Sequence, residues 1–310
     1  MTMRVLHIDS GRWLRGGQWQ TLHLAGGLVD SGMQVRLLAR RGSPLFREAQ
    51  RRGLSVAPLN WLAVWRESDW ADLIHCHDSR AHTLAWLAFL APGGRVPFVV
   101  SRRVAFSVKN RPFSGKKYCS AALFVCVSLA AAAQLTAAGV QEERIALVPD
   151  GVPVPPYTGN RTGAIVALDS SDPGKGRRLL EQVHARIVLV KDLEKAFRTA
   201  RIFLYSTDME GLGSAALVAM AHGVPVIASN VGGLPEIVLH ETTGLLVENT
   251  PQAFEAAIRR LEEDEHLAER LIRNGRAMVE EGYTVEHMVG RTLACYRKVL
   301  GESIGIQRFH

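Results

Sequence analysis

The stretch that decides the fold is YSTDMEGLGSAALVAMAHGVPVIASNVGGLPE, residues 205–236. An apolar run ends at its first residue, and a polar turn that carries Glu210 leads to Gly211 and Gly213 ahead of a helical pattern. Glycines leave the first turn of a helix without side chains, so its backbone amides can meet an anion or a hydroxyl-rich ligand at the positive end of the helix dipole. The turn therefore predicts a ligand site at the start of a helix.

A second glycine turn follows within the same stretch. The apolar run VPVIAS precedes Gly232 and Gly233, which we expect to open another bare helix start beside the first. Either turn alone is a weak signal, because glycine-rich turns between strand and helix occur in most α/β proteins. The two together, at this spacing, are specific.

Working outward, short runs rich in Val, Ile and Leu alternate with longer amphipathic stretches, as in parallel strands joined by crossover helices. An α/β fold with two Rossmann-like sheets is predicted. Strands are expected near residues 5–8, 35–39, 55–57, 73–76, 98–101, 123–127 and 145–148, then 165–168, 187–190, 202–205, 225–228 and 245–247. Helices are expected at 18–29, 129–138, 192–200, 213–221, 251–264, 265–280 and 285–299.

A proline-rich segment divides the chain. Residues 149–163 contain prolines at 149, 153, 155 and 156, which a helix or a central strand does not tolerate. We therefore expect an N-terminal domain at 1–152 and a C-terminal domain at 153–283.

Charge is unevenly distributed in this chain of 310 residues, whose formal net charge is +7. Basic residues crowd the first half: Arg40, Arg41, Arg47, Arg51, Arg52, Arg102, Arg103, Lys109, Arg111, Lys116 and Lys117. Such a surface suits a phosphorylated acceptor, a phospholipid surface or nucleic acid, with a merely solvated basic surface as the alternative. Nucleic acid has only the charge in its favour, and we expect none.

The chain shows neither a secretory signal at its start nor an apolar run long enough to span a membrane. We expect a cytoplasmic protein, with peripheral contact at the inner face of the membrane through its basic first domain.

The stretch 205–236 resembles the retaining glycosyltransferases of family 4, whose second domain carries E-G-x-G-x-x-x-L-E-A-M-A-x-G-x-P-V-V-A-S-x-x-G-G-x-x-E. Segments 15–20, 72–78, 172–176, 242–247 and 283–296 are also similar to segments of that family. The resemblance implies the GT-B architecture, two Rossmann-like domains facing across a cleft, here with a reduced second domain. It also implies that a last helix at 284–310 packs back on the first domain.

The same resemblance assigns roles to individual residues. Glu210 would bind the donor sugar hydroxyls, Lys175 would neutralise the β-phosphate, and His77 would face the sugar near the reacting carbon. The donor-binding positions it implies are Gly16, Gly17, Gly211, Leu212, Gly213, Ser214, Gly232 and Gly233.

The implied reaction moves a sugar from a UDP- or GDP-linked donor to a hydroxyl of a glycan or lipid-linked acceptor, with retention of configuration, as in polysaccharide or lipopolysaccharide biosynthesis. No cofactor is implied beyond the nucleotide sugar. The chain has no D-x-D sequence, which favours lysine and helix amides over a divalent metal at the diphosphate, so we expect no metal.

Each assignment has a structural alternative. Glu210 could only cap the helix that it precedes, and Lys175 could only be the exposed residue of a turn. One of His75 and His77 should point into the core, and we expect His77 to face the cleft. Trp61, Trp65 and Trp70 could form an acceptor or membrane-facing patch or belong to the core.

Three features depart from the family pattern. Val218 stands where the family has a second glutamate that binds ribose, and Ser170 stands where it often has an arginine. The segment between Lys175 and the strand near residue 202 is also short, with one predicted strand. A degenerate, inactive glycosyltransferase-like binding protein is therefore the alternative function. A nicotinamide-dependent dehydrogenase is disfavoured, because no G-x-G-x-x-G follows the first strand.

Overall fold

The structure is a computed structural model that describes residues 2–91, 96–108 and 114–301. Its first sheet consists of β1 (Arg4–Asp9), β2 (Gln34–Ala39), β3 (Val56–Pro58), β4 (Leu73–Cys76), β5 (Phe98–Arg102), β6 (Leu123–Cys126) and β7 (Ile145–Leu147). Its second sheet consists of β8 (Ile165–Leu168), β9 (Ile187–Val190), β10 (Ile202–Tyr205), β11 (Val226–Ser229) and β12 (Leu245–Val247). Both sheets are parallel, in the orders β3-β2-β1-β4-β5-β6-β7 and β12-β11-β10-β8-β9.

Helices connect these strands and cover the sheets. In the first half they are α1 (Gly16–Asp30), α2 (Pro44–Arg51), α3 (Trp61–Ser68), α4 (Ser79–Leu90), α5 (Ser114–Ser120) and α6 (Leu129–Thr136). In the second half they are α7 (Arg177–Leu180), α8 (Leu193–Phe197), α9 (Ser214–Ala221), α10 (Pro251–Glu263), α11 (Glu265–Gly282) and α12 (Val285–Leu300). The predicted α/β fold class is confirmed, with every predicted strand present to within two residues.

The halves are connected by two chain crossings that lie side by side. The amide of Val152 donates to the carbonyl of Tyr283 at 2.9 Å. A Cβ on Gly151 would come within 2.5 Å of the Thr284 carbonyl oxygen, so only glycine allows the two segments this close. The two crossings are therefore in direct contact with each other.

After the second crossing, α12 returns to the first sheet. It packs on α1, where the methyl group of Val289 would lie 2.5 Å from a Cβ on Gly27. Its Tyr296 is fully buried, and the hydroxyl lies 2.6 Å from His75 Nδ1 beneath the sheet. The last helix therefore belongs to the core of the first domain.

Part of the predicted surface lies outside the described residues, namely Lys109, Arg111 and the segment 302–310. Among the helices that the structure does describe, none combines the length and the apolar character that crossing a membrane requires.

Candidate active site

Lys175 and Glu210 come together at the carboxyl edge of the second sheet. The Lys175 Nζ lies 2.5 Å from Glu210 Oε2, and the two side chains are only 25% and 18% exposed. Lys175 ends a short 3-10 turn after β8, and Glu210 lies in the turn after β10. The two turns can lie this close because residue 176 is a glycine. Its φ is 67°, and a Cβ at this position would clash with Ser206. The structure thus brings together two residues that the sequence places 35 positions apart.

Tyr205 is a third member of this group, and its role was missed at the sequence level. Its hydroxyl donates to Glu210 Oε2 at 2.5 Å. Burial, and then the Glu210 charge, raise the pKa of Tyr205 well above its usual range, so the phenol stays protonated and keeps donating. The only available signal was its position as the last residue of a strand before the motif.

The start of α9 carries backbone amides that are free to bind a ligand. Gly213 precedes the helix with φ of 105° and gives it no side-chain cap. The amide of Gly211 donates to the Glu210 carboxylate at 3.1 Å. Among the described residues, the amides of Leu212, Gly213 and Ser214 have no protein acceptor. The predicted bare helix start is therefore present.

The motif glycines also face protein backbone. A Cβ on Gly211 would lie 2.1 Å from the carbonyl oxygen of Arg103 in the first domain. One on Gly232 would lie 2.1 Å from the Glu210 carbonyl oxygen, and one on Gly233 equally close to that of Gly211. The second turn leads only into a three-residue 3-10 turn, and the Gly233 amide donates to the Glu210 carbonyl at 3.1 Å. These glycines hold the two turns together.

The first domain contributes its glycine turn to the same place. Gly16 and Gly17 open α1, and a Cβ on Gly17 would lie 3.7 Å from Arg103 Cδ. A Cβ on Gly16 would meet no protein atom within 4 Å. Arg15 lies 3.9 Å from Asp172, just before the Lys175 turn. The two turns face each other across the domain boundary.

A buried ion pair lies between them that the sequence analysis did not assign. Arg103 donates through Nη1 to Asp150 Oδ1, and Ser214 at the start of α9 donates to Asp150 Oδ2 at 2.5 Å. The Nε of Arg103 is buried without a hydrogen-bond partner. Arg103 is thus a second cation beside the free amides, contributed by the first domain.

Two further contacts hold the domains at this point. The Glu236 carboxylate accepts the first two amides of α6, from Leu129 at 2.8 Å and from Ala130 at 2.9 Å. The hydroxyl of Ser128 donates to the Gly211 carbonyl at 2.6 Å. The last glutamate of the motif therefore acts as an anion at a helix start in the other domain, where the helix dipole favours it.

His7, His75 and His77 form a buried group that we call the histidine cluster. Residues two apart share a face of a strand, so His75 and His77 point to the same side and stack at 4.3 Å, and His77 is 7% exposed. The expectation that only one of the two points inward is therefore wrong, whereas the position of His77 beside a donor sugar stays a prediction. His7 Nδ1 lies 2.8 Å from His77 Nε2. Burial lowers the pKa of His7 to about 3 and those of His75 and His77 well below their usual range, aided for His77 by its neighbours and by Arg103. The cluster is neutral at physiological pH.

The cluster is the group of possible metal ligands that the described residues bring together. The two nitrogens that connect His7 and His77 are too close to hold an ion between them in this arrangement. Two imidazoles on one tetrahedral zinc, each about 2.1 Å from it, have their nitrogens about 3.4 Å apart, whereas His7 and His77 are separated by 2.8 Å. They form a hydrogen bond instead, and the absence of a metal at the donor site stays a prediction.

A cavity of about 540 Å³ lies elsewhere, between α1 and α12, and includes Leu22, Gly26 and Leu293 in its wall. None of the predicted site residues lines it.

Comparison with known proteins agrees with this geometry. The model of the glycosyltransferases of family 4 matches residues 14–154, and the model of the glycosyl transferases group 1 matches residues 180–278. The chain therefore belongs to the family 4 glycosyltransferases.

Among its relatives, a putative glycosyltransferase, YtcC, of Bacillus subtilis is 34% identical over 121 residues, which are 38% of this chain and 30% of that protein. The capsular polysaccharide biosynthesis glycosyltransferase CapM of Staphylococcus aureus is 32% identical over 123 residues, 38% of this chain and 32% of that protein. The chain thus spans about a third of the length of these curated relatives.

Solved structures share the fold over nearly the whole chain. HepE of Anabaena, in complex with UDP and glucose, has a TM-score of 0.82 at 15% identity, over 96% of this chain and 100% of that one. Sucrose-phosphate synthase of Thermosynechococcus elongatus has a TM-score of 0.78 at 18% identity, over 97% of this chain and 100% of that one. The GT-B architecture is confirmed.

Proposed function

We propose that the protein transfers a sugar, with retention of configuration, from a nucleotide diphosphate sugar to a hydroxyl of a glycan or lipid-linked acceptor. The observation that carries this proposal is the meeting of Lys175, Glu210 and the free amides of α9 with the glycine turn and Arg103 of the first domain. Relatives named for polysaccharide biosynthesis, and a structural neighbour crystallised with UDP-glucose, support the same class of donor.

The chemistry needs positive charge at the leaving group. As the bond between the anomeric carbon and the phosphate oxygen breaks, negative charge grows on the diphosphate and the sugar becomes oxocarbenium-like. We propose that Lys175, Arg103 and the amides of residues 212–214 stabilise this charge, since donors and cations placed beforehand lower the barrier most. Arg103 would supply the second positive charge, which the family often obtains from an arginine at the position that Ser170 occupies here.

Glu210 would bind the sugar hydroxyls through its carboxylate, whose position is fixed by Tyr205 and Lys175. A new bond from the acceptor oxygen forms on the same face of the sugar, and the acceptor proton leaves with the diphosphate. No step requires a metal, and we propose that transfer is metal-independent.

The test is to incubate the protein with a panel of UDP- and GDP-sugars and to measure nucleotide release, transfer and the melting temperature. A donor that binds only the folded state must raise the melting temperature, and NMR of the product reports the anomeric configuration. Glu210→Gln should lower turnover at least 100-fold, as loss of a pre-placed polar contact does. Glu194→Gln, an exposed carboxylate on α8, is the matched control. If no donor binds or turns over, the inactive alternative replaces this proposal.

A further inference from the structure

Helix α3 exposes an apolar surface of unusual composition. Trp61, Leu62 and Trp65 are 41%, 57% and 43% exposed. They lie on one side of the helix, while Val64 and Ser68 point into the core. Asn60 fixes the start of the helix by accepting the amide of Ala63 at 2.8 Å. The exposed side is therefore held rigidly toward solvent.

Three arginines lie near this apolar side. Strands β2 and β3 pair with Ala39 opposite Pro58, and the amide of Leu59 donates to the Ala39 carbonyl at 2.8 Å. Arg40 and Arg41 directly follow β2, so they lie beside the start of α3. Arg66 lies one turn after Leu62 on the helix itself. Both kinds of side chain thus share one edge of the first domain.

The three arginines are exposed and carry uncompensated charge. Within residues 2–91, 96–108 and 114–301, Arg40, Arg41 and Arg66 form no salt bridge. Arg36, within β2, shows the contrast, because it pairs with Glu67. We call Trp61, Leu62, Trp65, Arg40, Arg41 and Arg66 the α3 patch.

We propose that the α3 patch docks the protein on a bilayer that contains anionic phospholipids. Tryptophan prefers the boundary between headgroups and acyl chains, where its ring is buried and its N–H stays wet. Arginines at the same level attract the negative headgroups. Among anionic partners, a bilayer fits best, because it offers an apolar layer directly beneath a layer of negative charge.

The position of the patch gives this docking a consequence for transfer. The carboxyl ends of parallel strands share one edge of a sheet, so the ends of β2 and β3 lie at the same edge as the end of β1, which leads to Gly16. If the proposed transferase activity holds, an acceptor anchored in the bilayer would be presented at the cleft. Docking itself does not depend on that activity.

The experiment measures cosedimentation of the whole chain with phosphatidylcholine vesicles, with and without phosphatidylglycerol. Wild type should bind only the anionic vesicles, and binding should weaken when salt shortens the Debye length from about 10 Å at 0.1 M to about 3 Å at 1 M. Replacing Arg40, Arg41 and Arg66 together by serine should weaken binding by about 100-fold, at about fivefold for each arginine. The matched control removes the same charge from the second domain.

That control replaces Lys191, Lys195 and Arg198, all exposed, by serine and should bind like wild type. Replacing Trp61, Leu62 and Trp65 by serine should abolish binding, while Leu239→Ser, at an exposed leucine of the second domain, should not. Quenching of tryptophan fluorescence by brominated lipid should occur in wild type and be lost when Trp61 and Trp65 are phenylalanine.

Binding of the patch variants at wild-type strength, or equal binding of wild type to neutral and anionic vesicles, would overturn the proposal, as would no binding at all. Melting curves check that each variant is folded. If a triple variant melts early, Arg41→Ser and Leu62→Ser give the same comparison singly. Donor hydrolysis, measured in parallel, should be unchanged in all patch variants, so failure of docking is distinguishable from failure of the transferase proposal.

Discussion

Gly211 offers the sharpest test of how the two domains build the site. A Cβ at this position would lie 2.1 Å from the carbonyl oxygen of Arg103 and 2.8 Å from its carbon. Both atoms are backbone and cannot rotate away. Gly211→Ala must therefore move the start of α9 away from the first domain by about 1 Å, and a displacement of that size at a catalytic group costs about 100-fold in rate.

The assay compares kcat/KM for donor turnover and the melting temperature among three alanine variants. Gly26→Ala, within α1, meets no atom within 4 Å and should retain full activity, with a stability gain of up to about 1 kcal/mol from helix propensity. Gly16→Ala meets no protein atom either. Any loss of turnover in Gly16→Ala therefore reports a clash with the donor, whereas the loss in Gly211→Ala reports a clash with the other domain.

Circular dichroism must show that Gly211→Ala is folded before its rate is interpreted. Full activity in a folded Gly211→Ala variant would refute the reasoning, because the contact between Arg103 and the motif would then be irrelevant to the active arrangement. Full activity in Gly16→Ala would remove Gly16 from the donor site and leave the domain contact untouched.

Three further predictions follow from single features. Glu236→Ala removes the anion at the start of α6 and should lower the free energy of unfolding by about 1 kcal/mol, measured by urea denaturation against the exposed control Glu263→Ala. The histidine cluster and His82, whose pKa is lowered to about 3 by burial, bind protons only after unfolding. The stability that these groups contribute is therefore nearly complete at pH 7.5 and falls as the pH passes through about 6.5, by about 5 kcal/mol for four groups between pH 7.5 and 5.5. A loss smaller than that of one histidine, about 1.4 kcal/mol, would contradict the burial of these imidazoles. Val218→Glu should provide an acceptor for the nucleotide ribose, so UDP should raise the melting temperature of the variant by more than it raises that of wild type. If UDP shifts both melting temperatures equally, residue 218 does not face the nucleotide.

Much of the fold could be predicted because the buried strands of a parallel sheet appear in the sequence as short apolar runs. The strands at residues 73–76 and 202–205 match the structure residue for residue. The order of the strands within each sheet could not be predicted in this way, because it depends on pairing between segments that are far apart in the sequence. The family resemblance assigned Lys175 and Glu210 to one donor site, but neither it nor any local pattern predicted the ion pair that the two side chains form.

Apart from Tyr205, which lies beside Glu210 in the second domain, the site residues that were missed act across the domain boundary. Arg103 follows a strand of the first sheet, and Asp150 lies in the proline-rich linker. Neither position carries a local signal, since a basic residue after a strand and an acidic residue in a linker are both common. The two residues meet only in the folded chain, where Gly151 of the linker lies against Thr284 and the two halves come together.

The motif around Glu210 consequently has two functions that constrain each other. Under the proposed function its amides and carboxylate bind the donor, while its glycines, Ser214 and Glu236 hold the first domain through Arg103, Asp150 and the start of α6. Any ligand that moves the start of α9 must also move these contacts. Occupancy of the donor site and the relative position of the two domains should therefore change together, and a change that loosens one of these contacts should weaken donor binding even where no donor atom is touched.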